Sequence, residues 1–236
     1  MVLISAGTFQ MGSELNQGYK TCMETNTICK KKWFSDEQPA HKLKLKAFHI
    51  DIYEITQHDF ESVMRENPSE YEGLNRPVEN VTWFEARKYC ERLGKRLPTE
   101  AEWERAARGK TDSVFWWGNK ADSGKANFCD VHCEKPWKVN QLDDGFSFTA
   151  PVGSLTPNNY GLFDMAGNVY EWVDDWYDED YYRYSPEENP LGPKKGKKKI
   201  MRGGSWINYP TGVRSADRTD SKPNARMGFV GFRCAI

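Results

Sequence analysis

The sequence predicts a loop-rich fold in which a few helices and short strands are surrounded by ordered coil. Aromatic side chains make up 14% of the 236 residues, with nine Trp and eleven Tyr, while hydrophobic content is only 38%. Large rings stabilise irregular chain by packing, whereas a helical bundle would be richer in aliphatic side chains. The helix signals lie between residues 56 and 109, and the later chain is interrupted by Gly, Asn, Asp and Pro. A chain of this length buries a sizeable core, so residues 1–236 are expected to form one domain.

The first elements follow from local patterns. Residues 43–53 (LKLKAFHIDIY) alternate apolar and polar side chains, which is typical of a half-buried strand. Residues 56–64 then predict a helix whose N-cap is Thr56. After Gly109 we expect mostly coil with short strands.

Two capping boxes predict the clearest helices. Thr82-Trp-Phe-Glu85 opens one that should end at Gly94, and Thr99-Glu-Ala-Glu102 opens another that should end near Gly109. One face of the first helix is expected to be apolar, formed by Ala86, Tyr89, Cys90 and Leu93.

Charge excludes some partner classes. The net charge is −1, so no global field favours nucleic acid or an anionic membrane, and no apolar run is long enough to span a bilayer. The basic run 194–199 is interpreted as a solvated loop, and the acidic run 174–180 is interpreted as a solvated face.

The start, MVLISAGTFQMGS, lacks a basic n-region and a long apolar stretch, so we predict no signal peptide.

Six cysteines permit three disulfides in fifteen pairings. Cys22 with Cys29 and Cys129 with Cys133 are each close enough to close a small loop, which would leave one further pair. A metal site involving His132 and free buried thiols both remain open at this stage.

Two stretches place oxygen donors as a hard cation requires. Asp164 and Glu171 lie seven residues apart around a Gly167-Asn168 turn whose carbonyls are exposed between them. The alternative is a helix-start turn with a solvated Glu171. A second set would combine residues 127–128 with residues 143–146, if the fold brings them together.

The tail of the chain, residues 202–233, combines a fixed pattern with unpatterned runs. We call the following the frame residues: Gly203, Gly204, Ser205, Trp206, Arg214, Ala216, Arg218, Gly231, Phe232 and Arg233. Gly, Trp and Arg around polar and aromatic residues without periodicity indicate a rigid scaffold that displays a surface. Trp206 is expected in the core, and the arginines are expected to brace loops through hydrogen bonds.

Five segments carry a family resemblance: GTFQMGS (7–13), IDIYEIT (50–56), RPVENVTWFEARKYCERLGKRLPTEAEWERAARG (76–109), NNYGLFDMAGNVYEW (158–172) and RGGSW…GFRC (202–234). In order along the chain they resemble the formylglycine-generating-enzyme family, also called sulfatase-modifying-factor domains. The resemblance implies an α+β fold of the C-type-lectin-like kind, with little regular secondary structure.

The resemblance also implies structural calcium as cofactor and one disulfide. One calcium would be held by Asp164, Gly167, Val169 and Glu171, with backbone oxygens from the middle two. A second would be held by Asn127, Phe128, Asp144 and Phe146. The implied disulfide joins Cys90 and Cys234.

Family enzymes oxidise a substrate cysteine with copper held by two cysteines in the run after GGS, since soft thiolates select Cu(I). The corresponding residues 207–213 (INYPTGV) contain no cysteine. The four histidines are also scattered, without the HxxxH pattern of the related sulfoxide synthases. We therefore expect no catalysis.

The tail also resembles the variable proteins of diversity-generating retroelements, in which frame residues stay constant while Asn-like codons vary. The twelve positions that would vary and bind ligand are here called the display positions: Ile207, Asn208, Tyr209, Thr211, Gly212, Asp217, Thr219, Asp220, Ser221, Ala225, Gly228 and Phe229. Tyr and Phe supply rigid contact area, as in antibody paratopes. This predicts a non-catalytic protein that binds a protein or other macromolecule, outside the cytosol if the disulfides form. The alternative is an oxidoreductase or a degenerate accessory domain of the same family.

Overall fold

A computed structural model describes residues 1–25 and 29–236. Within these ranges, three small β-sheets and four α-helices are connected by long ordered coil. The strands are β1 (Val2–Ile4), β2 (Gly7–Met11), β3 (His41–Leu45), β4 (Phe48–Ile50), β5 (Tyr170–Trp176), β6 (Lys199–Arg202), β7 (Thr219–Ser221) and β8 (Val230–Gly231). The helices are α1 (Gln17–Thr25), α2 (Gln57–Met64), α3 (Trp83–Arg92) and α4 (Glu100–Arg108).

The sheets join distant parts of the chain. β1 pairs with β4 and β2 with β3, both antiparallel. The third sheet has the order β7-β6-β5-β8, in which β8 runs parallel to β5 and the other pairs are antiparallel. Residues 202–233 therefore contribute two strands and part of a third to this sheet, with β7 at one edge.

The predicted helix starts are confirmed. Thr56 caps α2 by accepting a hydrogen bond from the Asp59 N–H, and both capping boxes at Thr82 and Thr99 are complete. α4 ends at Gly109, which adopts the left-handed conformation (φ +58°). Within the described part of the chain, no helix has the length and apolar character needed to cross a membrane.

Three expectations from the sequence were wrong in part. The single strand predicted over residues 43–53 is two short strands, β3 and β4, which pair with different partners. Leu93 is 45% exposed because it caps α3 and so leaves the apolar face of the helix. Asp175, expected to be solvated, is buried because it accepts the Glu100 N–H at the start of α4.

Lys199 is the fourth correction. It was assigned to a solvated basic run, but it lies in β6 and is buried. Its Nζ lies 3.9 Å and 4.0 Å from the ring centroids of Trp83 and Trp176, and it donates to the Asp174 carbonyl at 2.6 Å. Cation–π contact with two indoles compensates for the loss of water around the ammonium group.

Candidate functional site: the display face

Two glycines shape the start of the tail. Gly203 and Gly204 have φ values of +93° and +71°, which a residue with a side chain rarely adopts. A Cβ on Gly204 would lie 2.3 Å from the Gly212 carbonyl oxygen, so the loop folds tightly back on itself. The two glycines thus place residues 207–213 beside the sheet.

The frame residues form the interior of this region. All ten are buried. The prediction that Trp206 lies in the core is therefore confirmed. The three frame arginines make buried ion pairs with acids that are distant in sequence: Arg214 with Glu37, Arg218 with Glu100, and Arg233 with Glu171. Each pair joins the tail to a different element, so the tail is held as part of the scaffold.

The display positions are more accessible than the frame. Eleven of the twelve are partly exposed, and Thr211 is buried, with its Oγ1 3.9 Å from the Cys22 Sγ. None of the twelve is as exposed as their neighbours Lys222, Asn224 and Arg226. The display positions are therefore less accessible than these neighbours, and we call the surface to which they contribute the display face.

The display face has three parts. Residues 207–212 lie beside Trp137, whose indole N–H donates to the Ile207 carbonyl at 2.9 Å. Residues 219–221 are β7, the edge strand of the sheet. Residues 225–229 lie against the chain near Tyr71, and the Trp206 indole donates to the Gly228 carbonyl at 3.3 Å.

Tyr170 connects the first part to the third. Its hydroxyl accepts a hydrogen bond from Asn208 Nδ2 at 2.9 Å, and its ring centroid lies 6.4 Å from that of Phe229. Burial raises its pKa above the ordinary value, so the hydroxyl stays protonated. The ring is therefore a neutral, rigid support beneath the face.

The side chains of Asn208 and Asp217, both display positions, are hydrogen-bonded within the scaffold. Asn208 Oδ1 accepts from the Ser205 Oγ at 2.7 Å, so the buried Ser205 hydroxyl is held within the scaffold. Asp217 accepts from Arg214 at 2.9 Å, and burial raises its pKa to about 8. A ligand would have to compete for these groups.

Aromatic residues outside the tail extend the surface, and the sequence reasoning missed them. Phe148 and Trp137 are 39% and 45% exposed. The rings of Tyr71 and Phe148 stack at 4.5 Å, and both contact Trp206 edge-on at 5.3 Å. The high aromatic content was the available signal, but it does not tell which rings meet.

The residues predicted for the second calcium do converge. Asp144 accepts the backbone N–H groups of Phe128 and Phe146, both at 2.9 Å. Asn127 is buried, and its Oδ1 has no hydrogen-bond partner within residues 1–25 and 29–236. Burial raises the pKa of Asp144 to about 7. A buried amide oxygen without a donor beside a desolvated carboxylate fits a hard cation.

The residues predicted for the first calcium lie in a buried acidic cluster that includes Arg233. Asp164 and Glu171 are both buried, but Arg233 donates to both carboxylate oxygens of Glu171, at 2.7 Å and 2.8 Å. The Trp103 indole donates a third hydrogen bond at 2.8 Å. Arg233 thus supplies one positive charge beside the two carboxylates of Asp164 and Glu171. Gly167 and Val169 lie nearby, and the Val169 N–H donates to a further buried carboxylate, Glu54.

Glu54 was not singled out from the sequence. It also accepts from the Asn168 side chain at 2.6 Å. Burial and the neighbouring Asp164 raise its pKa well above the ordinary value. Glu54 follows β4 by four residues, and nothing in its local spacing relates it to residues 164–171.

All six cysteines are within the described ranges, and all six form disulfides: Cys22–Cys29, Cys90–Cys234 and Cys129–Cys133. The suggested loop closures and the implied third pair are confirmed. No thiol is left for soft-metal chemistry, and three disulfides indicate an oxidising, extracellular-type setting.

The profile of the sulfatase-modifying factor enzyme 1-like domain matches residues 1–236. The chain belongs to this family. It is 42% identical over 165 residues to the formylglycine-generating enzyme of Streptomyces coelicolor, covering 68% of this chain. It is 35% identical over its whole length to a Chlamydia pneumoniae protein named serine/threonine-protein kinase pkn1. The chain spans 52% of the first protein and 37% of the second.

Two solved structures match nearly the whole fold. The variable protein 1 of Treponema denticola has a TM-score of 0.79 at 27% identity, with 100% of this chain and 94% of that chain covered. PvdO from Pseudomonas aeruginosa has a TM-score of 0.79 at 27% identity, with 99% and 92% covered. The predicted α+β, C-type-lectin-like fold of this family is confirmed.

Proposed function

We propose that the protein is a non-catalytic ligand-binding member of this family, and that its ligand contacts the display face. The observation that carries the proposal is the separation of the tail into two sets. All ten frame residues are buried, and eleven of the twelve display positions are partly exposed. A scaffold that tolerates variation requires this separation, because substitutions at buried positions disturb packing while substitutions at accessible ones change contacts.

The chemistry of the face supports binding over oxidation. Its accessible side chains include Tyr209 and Phe229, which offer rigid apolar area, and Thr219 and Ser221, which offer adaptable hydroxyls. Within residues 207–213, the run that contains no cysteine, Asn208 is hydrogen-bonded to Ser205 and Tyr170. The likeness to the Treponema denticola variable protein is consistent with this function.

A macromolecular ligand suits the shape of this surface better than a small molecule. The three parts of the display face extend from residue 207 to residue 229 and include an open sheet edge at β7. An edge strand with free N–H and C=O groups accepts a further strand. We therefore propose a protein ligand and a cell-surface or secreted location.

Sequencing tests the proposal of variation. The gene should be sequenced in many independent isolates of the source population. Substitutions should concentrate at the twelve display positions, and the ten frame codons should stay constant. A reverse-transcriptase gene beside a near-copy of codons 203–233 with Asn at the display positions would support the mechanism. Substitutions that fall on frame and display codons alike would overturn it.

We also propose one structural calcium, held by Asn127 and Asp144 with the backbone oxygens of Phe128 and Phe146. It would give the orphaned Asn127 Oδ1 a partner and would neutralise Asp144. Asn127 also forms a bridge with Gly167, where a Cβ would lie 1.9 Å from the Asn127 carbonyl oxygen. Calcium would therefore stabilise the junction between residues 127–146 and the turn that precedes β5.

A further inference from the structure

One cavity of the described structure shares no residue with the tail. It has a volume of about 430 Å³ and lies between β2, β3 and the C-terminal end of α4. Its lining consists of Thr8, Phe9, Gln10, Lys42, Arg105, Arg108, Lys110, Thr111, Asp112 and Tyr160. Four of these residues are cationic and one is anionic, whereas the whole chain has a net charge of −1.

The two arginines are buried and positioned by the backbone. Arg105 donates to the carbonyls of Ser5 and Gly7, both at 2.6 Å, and makes no ion pair among the described residues. Its charge is thus held in place by neutral acceptors. Its Nε–H donates no hydrogen bond within the described ranges, so this donor remains available.

Arg108 is partly neutralised. Its Nε and Nη2 donate to Glu104 at 2.9 Å and 2.7 Å, but Glu104 also pairs with Arg202. The carboxylate of Glu104 is therefore shared between Arg108 and Arg202, and Arg202 has a second, longer ion pair with Glu100 at 3.6 Å. Nη1 of Arg108 makes no hydrogen bond within residues 1–25 and 29–236.

The lysines add mobile charge at the mouth of the cavity. Lys42 and Lys110 are exposed, and neither has a carboxylate within 4.0 Å among the described residues. Lys110 Nζ lies 5.0 Å from the centroid of the Tyr160 ring, which positions it over the opening. Asp112 is the sole acid of the lining, and it is exposed and pairs with neither lysine.

We propose that this cavity binds an anionic ligand that carries phosphate or carboxylate groups. Two guanidinium groups fixed by the scaffold present N–H donors and positive charge to carboxylate or phosphate oxygens, and two flexible ammonium groups add point charges. Thr8, Gln10 and Thr111 supply neutral hydrogen-bonding groups around them. The inference does not depend on the display face, so either can fail without the other.

The test is calorimetric titration of the full chain at low ionic strength. Inorganic pyrophosphate is the phosphate probe and citrate is the carboxylate probe. The variant Lys42→Gln/Lys110→Gln removes two charges at positions that make no hydrogen bond through their side chains, so it should fold. Lys88→Gln/Lys195→Gln removes two exposed, unpaired charges elsewhere and serves as the matched control.

We expect saturable binding to one site by the wild type, at least tenfold weaker binding by Lys42→Gln/Lys110→Gln, and a change below twofold in the control. Tighter binding of one probe identifies its oxyanion as the preferred group, and equal binding means that charge alone is recognised. Absence of saturable binding by both probes, or equal weakening in the two double variants, would overturn the proposal. Thermal unfolding of both variants verifies that they are folded.

Discussion

The display face depends on Arg214, because this residue joins the tail to the N-terminal part of the chain. Its Nη1 and Nη2 donate to the two carboxylate oxygens of Glu37 at 2.8 Å and 2.6 Å. It also donates to Asp217 at 2.9 Å and to the Thr211 carbonyl at 2.6 Å. The side chains of Arg214 and Glu37 are 2% and 1% exposed.

The substitution Arg214→Met would keep most of the volume and leave Glu37 buried without a partner. Breaking a buried ion pair on one side costs about 3–5 kcal/mol. With a urea m-value of about 1–3 kcal/mol per M, the unfolding midpoint should fall by about 1 M or more. Urea unfolding followed by tryptophan fluorescence measures the shift.

Arg226→Met is the matched control, since Arg226 belongs to the same tail and pairs with Glu85 at 2.5 Å, but its side chain is 44% exposed. Exposed pairs contribute about 0–1 kcal/mol, so this variant should unfold near the wild-type midpoint. The double variant Glu37→Met/Arg214→Met should lose less stability than Arg214→Met, because only Asp217, and no longer the fully buried Glu37, is left without its ion pair. Equal shifts for the two arginine variants would refute the claim that Arg214 anchors the tail.

Three further outcomes are expected. Burial raises the pKa of Glu79 to about 7 from the ordinary 4.5, so the folded state binds more protons and wild-type stability should fall between about pH 4.5 and pH 7. Glu79→Gln should match the wild type at pH 4.5 and exceed it at pH 8 by up to about 3 kcal/mol in urea unfolding. A wild-type profile that is flat over this range would contradict the reasoning. Calcium added to chelator-treated protein should raise the melting temperature, and Asn127→Ala should abolish this rise while the exposed control Asn224→Ala keeps it. An equal rise in Asn127→Ala would exclude this site. Removing Cys90–Cys234, which spans 144 residues, should cost about 5 kcal/mol, against about 2 kcal/mol for Cys129–Cys133, which spans 4. The reverse order of these two losses would show that loop closure is not the main contribution.

The sequence predicted the elements whose causes are local. The boxes at Thr82 and Thr99 predicted two helix starts because donor and acceptor lie three residues apart. The N-cap at Thr56 and the two small disulfide loops were also predicted, because in each the interacting residues are close in sequence. The frame of the tail was also recognisable, because its Gly, Trp and Arg pattern is dense within 31 residues (203–233).

The parts that the sequence did not predict depend on distant partners. Lys199 follows other lysines, and only the approach of Trp83 and Trp176 makes its burial favourable. Glu54 lies 110 residues before Asp164 and has no local signal that relates the two. The ion pair between Glu171 and Arg233 likewise depends on the pairing of β5 with β8.

The central claim is that the protein binds a ligand without oxidising it, and copper chemistry tests it most directly. The purified chain with intact disulfides should be incubated with Cu(I) and a cysteine-containing peptide, and bound copper, oxygen uptake and the peptide product should be measured. Since all six cysteines form disulfides, the account predicts no tightly bound copper, no oxygen uptake above a protein-free control and an unchanged peptide. Stoichiometric copper with oxygen consumption and conversion of the peptide cysteine to an aldehyde would contradict it and identify an enzyme.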